Sequence, residues 1–201
     1  MPGMNFYNTI EEEGIAEFKD RGSKFLAHAI PFTDKTILKK YLQQLKKEHP
    51  KAAHFCFAWR LGITGDNFRV NDDREPSGTA GKTILDQIDS KGITDVLIIV
   101  IRYFGGTLLG APGLIAAYRS VSSMVLQTLP VLRKPVVYYF RIEFDYLQTN
   151  ELLALLKNYN CIISSHEKQL FSSVIAGVPA ENIENFHHKI KNMGNLTVMG
   201  V

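Results

Sequence analysis

Hydrophobic and polar positions along the chain follow two periods, and each change of period marks an element. From Ala53 to Leu61 the alternation is strict, with Phe55, Phe57, Trp59 and Leu61 on one face of a strand and His54, Cys56, Ala58 and Arg60 on the other. Upstream, stretches near Phe6 to Ile10, Gly14 to Lys19 and Lys24 to Ile30 predict a small antiparallel sheet. A helix follows from Asp34, a good N-cap, because Ile37, Leu38, Tyr41, Leu42 and Leu45 recur at helical spacing. Ala80, Ile84, Leu85 and Ile88 mark another helix. Val96 to Ile101 is apolar at every position, as expected of a central strand covered on both faces. It ends at Arg102, and past a run of glycines a helix begins at about Pro112, with Leu114, Tyr118, Val121 and Val125 as its buried stripe.

Pro130 to Pro135 follows that helix, and its prolines suit a stiff connector. The expected organisation is a first domain over residues 1–130, a linker over 131–135 and a second domain over 136–201. The second domain reads strand (Val136 to Phe144), helix (Gln148 to Asn158), strand (Cys161 to Glu167), strand (Leu170 to Val178), helix (Glu181 to Lys191) and strand (Leu196 to Met199). That β-α-β-β-α-β order is the ferredoxin-like split motif, so the fold class is α+β. Leu152, Leu153, Leu156, Ile183, Phe186 and Ile190 are enough to cover one face of its sheet.

Composition narrows the classes. A chain of 201 residues with 45% hydrophobic and 21% charged residues is that of a soluble globular protein. No apolar run approaches the roughly 18 residues of a membrane span, and the start, MPGMNFYNTIEEEG, lacks the pattern of a signal peptide. A cytoplasmic location without membrane contact is expected. Cys56 and Cys161 are the only cysteines, too few and too isolated for a disulfide framework or a metal cluster, and they read as core thiols. The net charge of +3 is uneven: residues 1–134 hold 18 Lys and Arg against 14 Asp and Glu, whereas 135–201 hold 5 against 6. An anionic partner therefore belongs mainly to the first part. Lys35, Lys39, Lys40, Lys46 and Lys47 line the polar side of the first helix, a face that is either merely solvated or meets nucleic acid.

Two glycine-punctuated segments between Asp72 and Tyr118 carry the candidate chemistry. In the first, Asp72, Asp73 and Glu75 precede a turn with Ser77, Gly78, Thr79, Gly81 and Lys82. Ser77 or Thr79 can cap the helix that follows, and its free N–H groups with Lys82 suit a phosphate or carboxylate. The stretch Pro76 to Thr83 misses the phosphate-loop pattern G-x-x-x-x-G-K-[ST] at its first glycine and follows no buried strand. The three acids can hold Mg²⁺ or simply form a solvated, helix-capping loop. Without a second acidic cluster no metal is assigned. The second segment holds Arg102, Tyr103, Phe104, Gly105, Gly106, Gly110 and Gly113 between a strand end and a helix start, where open α/β layers bind ligands. Arg102 with the two aromatics suits stacking on a base with phosphate contact, unless both rings are buried. There is no G-x-G-x-x-G spacing, so no dinucleotide or other cofactor is expected. His54 is a secondary candidate. No nucleophile motif such as G-x-S-x-G occurs.

Together these segments resemble the IMPACT/YigZ family. Its pattern carries Gly-Ser-Lys-Phe (here Gly22 to Phe25), Ala-x-His-x-Cys (Ala52 to Cys56), Asp-Asp-Gly-Glu-Pro-Ser-Gly-Thr-Ala-Gly (from Asp72) and Arg-Tyr-Phe-Gly-Gly-x-x-Leu-Gly (from Arg102) in this order. The match covers roughly residues 20 to 120. The chain departs at Arg74, where the family has glycine, and at Pro112 and Ala116, where glycine and arginine stand in the pattern. The missing arginine weakens any phosphate site near that helix start. The resemblance implies a first domain like ribosomal protein S5 domain 2, then a ferredoxin-like domain similar to the last domain of elongation factor G. It also implies a link to control of translation initiation, which in eukaryotic members runs through a protein partner acting with the ribosome. The expected function is a non-enzymatic one, contact with RNA, the ribosome or a ribosome-associated protein. The alternative is an enzyme on a small phosphorylated or carboxylated ligand, with Asp72, Asp73 and Glu75 as acid, base or metal groups and Lys82 as anion clamp.

Overall fold

The computed structural model describes residues 4–167, 172–194 and 196–201. In chain order the elements are Phe6–Thr9 (β1), Gly14–Asp20 (β2), Ser23–Pro31 (β3), Leu38–Glu48 (α1), His54–Leu61 (β4), Asn67–Asn71 (β5), Gly81–Lys91 (α2), Val96–Tyr103 (β6) and Gly110–Gln127 (α3). Leu132–Pro135 (β7) leads to Val137–Phe144 (β8), Thr149–Asn158 (α4), Ile162–Glu167 (β9), Ser172–Pro179 (β10), Ile183–Lys191 (α5) and Thr197–Gly200 (β11). The chain divides into two compact units, Asn8–Arg133 and Lys134–Val201, the latter joined by the leading residues up to Tyr7.

A strand that is apolar at every position has no side to give to water, and β6 accordingly sits in the middle of a five-stranded sheet of order β2-β3-β6-β4-β5. Every neighbouring pair is antiparallel. Alternation then sorts the side chains. Phe25, Ala27 and Ala29, Cys56 and Ala58, and Val96, Ile98 and Val100 pack with α2 and α3. Leu97, Ile99 and Ile101 pack on the other face with Phe55, Phe57, Trp59 and Leu45 of α1. Each buried Val, Leu, Ile or Phe among them contributes about 1.5–3 kcal/mol by leaving water. Asp34 caps a 3-10 turn ahead of α1, its Oδ1 accepting the Thr36 N–H at 2.8 Å. In the second unit the sheet order is β11-β8-β10-β9, and Ile142, Phe144, Val174, Ala176 and Val178 pack with Leu152, Leu156, Phe186 and Ile190 of its two helices.

Several elements differ from the sequence expectation. β2 and β3 belong to the large sheet, whereas β1 pairs with β7, so the stretch expected as a connector is partly a strand. β5 is an edge strand, exposed along nearly its whole length, and shows no apolar run. α3 starts at Gly110, ahead of Pro112, which occupies the first turn where a missing N–H costs nothing. β10 begins at Ser172, and the earlier part of its expected span, Leu170 and Phe171, lies outside the described residues. Among the described residues no helix is long and apolar enough to cross a membrane.

His28 of β3 lies on the α1 side, its ring centroid 6.3 Å from that of His49, and its buried Nε2 has no hydrogen-bond partner among the described residues. Burial, then His49, lowers its pKa, against the opposing pull of Glu48 and Glu13. A depressed imidazole stabilises the fold fully above the ordinary value near 6.5, and that contribution is lost as pH falls through it toward the folded value. His28→Leu is therefore expected to flatten the fall in urea midpoint between pH 7.5 and 5. An equally steep fall in the variant would refute this role.

Candidate functional site

The alternation that buries β6 also decides where its polar end goes. Arg102 pairs in register with Phe25 on one side and His54 on the other, on the α2 and α3 face. Tyr103 is turned to the opposite face, where its hydroxyl lies 2.7 Å from His49 Nδ1. The Arg102 side chain is 5% exposed, and its Nη1 donates to Glu75 Oε1 at 2.7 Å; the Glu75 side chain is 3% exposed. Nη2 reaches Ser23 Oγ at 3.5 Å, and the guanidinium lies between the rings of Phe25 (5.4 Å) and Phe104 (5.8 Å). Its buried Nε has no hydrogen-bond partner among the described residues.

Glu75 Oε1 also accepts the Tyr118 hydroxyl at 2.9 Å. Because Tyr118 gives its only proton to the carboxylate, the Cys56 thiol is the donor left for the Tyr118 oxygen at 3.2 Å or the Asp72 carbonyl at 3.1 Å. Burial pushes both groups up, the thiol despite its bond to Tyr118 and the phenol with added help from Cys56 and Glu75. Neither ionises near neutral pH. His54 Nδ1 lies 2.9 Å from the Asp73 carbonyl, which only accepts, so Nδ1 carries the hydrogen and Nε2 faces Glu75 Oε1 at 3.9 Å. Both nitrogens thus point inward.

The acidic loop is divided among separate tasks. The Asp72 carboxylate accepts the N–H groups of Gly78 (3.0 Å), Ala80 (3.1 Å) and Gly81 (2.8 Å), and so caps α2. Thr79, one of the two expected caps, instead donates its hydroxyl to the Pro76 carbonyl, and Ser77 is exposed. The α2 terminus is therefore occupied by the protein's own carboxylate. Asp73 Oδ2 accepts the Phe55 N–H at 2.7 Å. Lys82 is exposed and pairs with Asp86 at 3.1 Å, one turn along α2. Arg74 has φ 71°, the left-handed region in which glycine is at ease, and its Nη2 donates to the Ala53 carbonyl at 3.1 Å.

The glycines of the second segment serve contact and turning. A Cβ on Gly105 would lie 1.9 Å from the Gly22 carbonyl carbon, so the β2–β3 turn and the β6–α3 loop touch backbone to backbone. Ser23 Oγ, next to Gly22, accepts the Gly105 N–H at 3.2 Å. Gly106 and Gly110 have positive φ, and Gly113 is crowded by Arg21. Outside this frame Phe104 is 51% and Leu108 83% exposed.

The structure thus brings His54, Glu75 and Arg102 together and separates what the sequence grouped. Arg102, Tyr103 and Phe104 form no common stacking platform, because strand alternation sends Tyr103 to the other face and the ion pair buries Arg102. Asp72, Asp73 and Glu75 do not converge, and among the described residues no group of His, Cys, Asp and Glu is placed to hold a metal. The antiparallel sheet also removes the strand-end rule for open parallel layers. Ser23 and Tyr118 were missed as partners, and only the burial of Tyr118 was readable from helical spacing.

Comparison with known proteins agrees with the motifs. The Impact N-terminal domain family matches residues 21–126. The chain is 32% identical over 167 residues to "IMPACT family member YigZ" of Escherichia coli (strain K12), covering 81% of this chain and 82% of that protein. It is 34% identical over 143 residues to "IMPACT family member YvyE" of Bacillus subtilis (strain 168), covering 71% and 66%. "Protein IMPACT" of Xenopus laevis is 33% identical over 118 residues, 54% of this chain and 37% of that one. A solved structure titled as that of an hypothetical protein superposes with TM-score 0.76 at 27% identity over 98% of each chain.

Removing one member of the buried pair strands the other. Arg102→Met is expected to cost about 3–5 kcal/mol in urea unfolding, and Arg102→Met with Glu75→Leu to recover most of it. A double variant no more stable than the single would refute the pairing. Alkylation gives a second check: at pH 8 the native protein is expected to react slowly at both thiols, Cys56 being buried and the Cys161 thiol raised by burial to about 11, while urea exposes both. Fast labelling of native Cys56 would contradict the geometry.

Proposed function

The chain belongs to the IMPACT family, and on that premise we propose that it is a translation-linked recognition protein that engages RNA, the ribosome or a ribosome-associated partner without a reaction of its own. The observation that carries this reading is the inward closure of the buried acid, thiol and phenol and of the Asp72 carboxylate. Glu75, His54 and Cys56 are spent on Arg102, Tyr118 and backbone carbonyls, and Asp72 on the α2 terminus. What the network leaves exposed in the β6–α3 loop is Phe104, Gly106, Thr107 and Leu108, mainly apolar and small groups with no carboxylate or imidazole among them. Such a surface suits recognition. Control of translation initiation is the finer form of this reading, and a cytoplasmic location goes with it.

The same premise supports a finer reading of the fold. We take the Asn8–Arg133 unit as similar to ribosomal protein S5 domain 2. We take β8 to β11 with α4 and α5 as ferredoxin-like, resembling the last domain of elongation factor G. The β-α-β-β-α-β succession and the β11-β8-β10-β9 order support the second assignment.

Co-sedimentation with ribosomes, with and without nuclease, tests the function. The protein is expected to travel with ribosomes, and Leu108→Ala with Phe104→Ala to weaken that association while leaving the unfolding midpoint nearly unchanged, since both side chains are largely exposed. A protein that stays wholly in the supernatant, or that turns over a phosphorylated metabolite, would overturn the reading.

A further inference from the structure

We propose that the outer face of α1 is a docking surface for the phosphate backbone of duplex RNA. This rests on the RNA arm of the function above but not on its loops, because α1 covers the sheet face opposite α2 and α3. Lys39, Lys40, Lys46 and Lys47 are all exposed, and at about 100° per residue they lie on one arc with Gln43, opposite the apolar stripe of Leu38, Tyr41, Leu42 and Leu45. Lys39 and Lys46, and likewise Lys40 and Lys47, are two turns apart, about 10.5 Å along the axis. Exposed Lys51 extends the row just past the helix end.

What sets these charges apart from other surface lysines unpaired among the described residues, such as Lys91 and Lys157, is that four of them share one arc of a single helix. Lys19 and Lys24 pair with Glu17, and Lys82 with Asp86. None of the α1 lysines makes an ion pair among the described residues, and the helix's one acid, Glu48, accepts from Gln44 at 2.9 Å instead. Helix stability explains Lys46 and Lys47, which sit in the last turn where the macrodipole favours cations. It does not explain Lys39 and Lys40, which lie about one turn past the Asp34 cap, still at the N-terminal end where the macrodipole disfavours cations. A face that retains charge against helix stability is fitted to an anion outside the chain.

The form of the anion follows from what accompanies the lysines. Single-strand binding relies on exposed aromatic platforms for the bases. On this helix the aromatic Tyr41 packs toward the core, and Phe55 lies below Lys46 at 5.5 Å. Compact point charges without stacking surface or a base-reading set suit a backbone met from outside, as when duplex RNA is recognised by its shape and phosphates.

The test measures binding of the full-length protein to a 20-base-pair RNA duplex of arbitrary sequence across a salt series. Lys39→Gln/Lys40→Gln/Lys46→Gln/Lys47→Gln is expected to weaken binding more than about tenfold and to flatten the salt slope by about one per lysine removed, while Lys19→Gln/Lys82→Gln changes neither. Lys39→Glu/Lys40→Glu guards against a folding artefact, because acids in that turn favour the helix; it is expected to lose affinity while keeping its unfolding midpoint. If the native protein binds duplex and ribosomes but the quadruple variant binds equally well, the α1 assignment falls and the functional reading stands. If the native protein binds neither, both fall. A single-stranded RNA bound as tightly as the duplex, or polyglutamate competing as well as RNA, would replace duplex RNA as the occupant and overturn the proposal.

Discussion

A guanidinium and a carboxylate, both almost wholly removed from water, hold the first unit's polar end together. Taking Arg102 and Glu75 out of solvent costs several kcal/mol per ion, and their attraction offsets this only with good geometry and further hydrogen bonds. Glu75 Oε1 obtains them from Arg102 Nη1 and the Tyr118 hydroxyl. Arg102 obtains less, a long contact to Ser23 and two aromatic faces, with Nε left over. Each supporting group comes from a different part of the chain: β3, β6, the acidic loop and α3. Their separate positions therefore depend on one pair.

That dependence accounts for the glycines and the loop conformations around it. For Ser23 to reach Arg102, the β2–β3 turn must lie against the β6–α3 loop, which is possible only with no Cβ on Gly105. For Glu75 to reach the same guanidinium, the acidic loop must fold back under α2. Asp72 holds it there by capping the helix, while Asp73 and Arg74 take left-handed backbone. The glycine that the family pattern places at position 74 has a physical reason in that φ of 71°.

Local features of this architecture were legible in the sequence, and distant pairings were not. The central strand was readable because Val96 to Ile101 leaves no polar side, and the face assignments of His54 to Leu61 followed from alternation. The Asp34 cap was readable because its donor is two residues away. The Asp72 cap was not, because its donors lie six to nine residues on across a loop. Arg102 was read as a surface group because a lone arginine at a strand end gives no sign of a carboxylate 27 residues earlier. β5 escaped because an exposed edge strand needs neither alternation nor an apolar run.

A network closed in this way bears on the kind of function its surroundings can serve. Proton transfer or nucleophilic attack needs a group with a free valence toward the substrate and a pKa near the working pH. Here burial drives Cys56 and Tyr118 away from that range, and His54 spends its Nδ1 hydrogen on the Asp73 carbonyl. Rigid support of neighbouring loops needs the reverse, with every polar group satisfied inwardly so that the backbone cannot rearrange. The first unit meets most of that second requirement on the α2 and α3 side, where among the described residues Arg102 Nε and Ser122 Oγ are left over, and presents lysines without ion pairs on the other. An apolar loop surface and a cationic helix on opposite faces of one sheet do not compete for a ligand. On the proposed readings, a partner protein at Phe104 and Leu108 and a phosphate backbone at α1 are compatible within one unit.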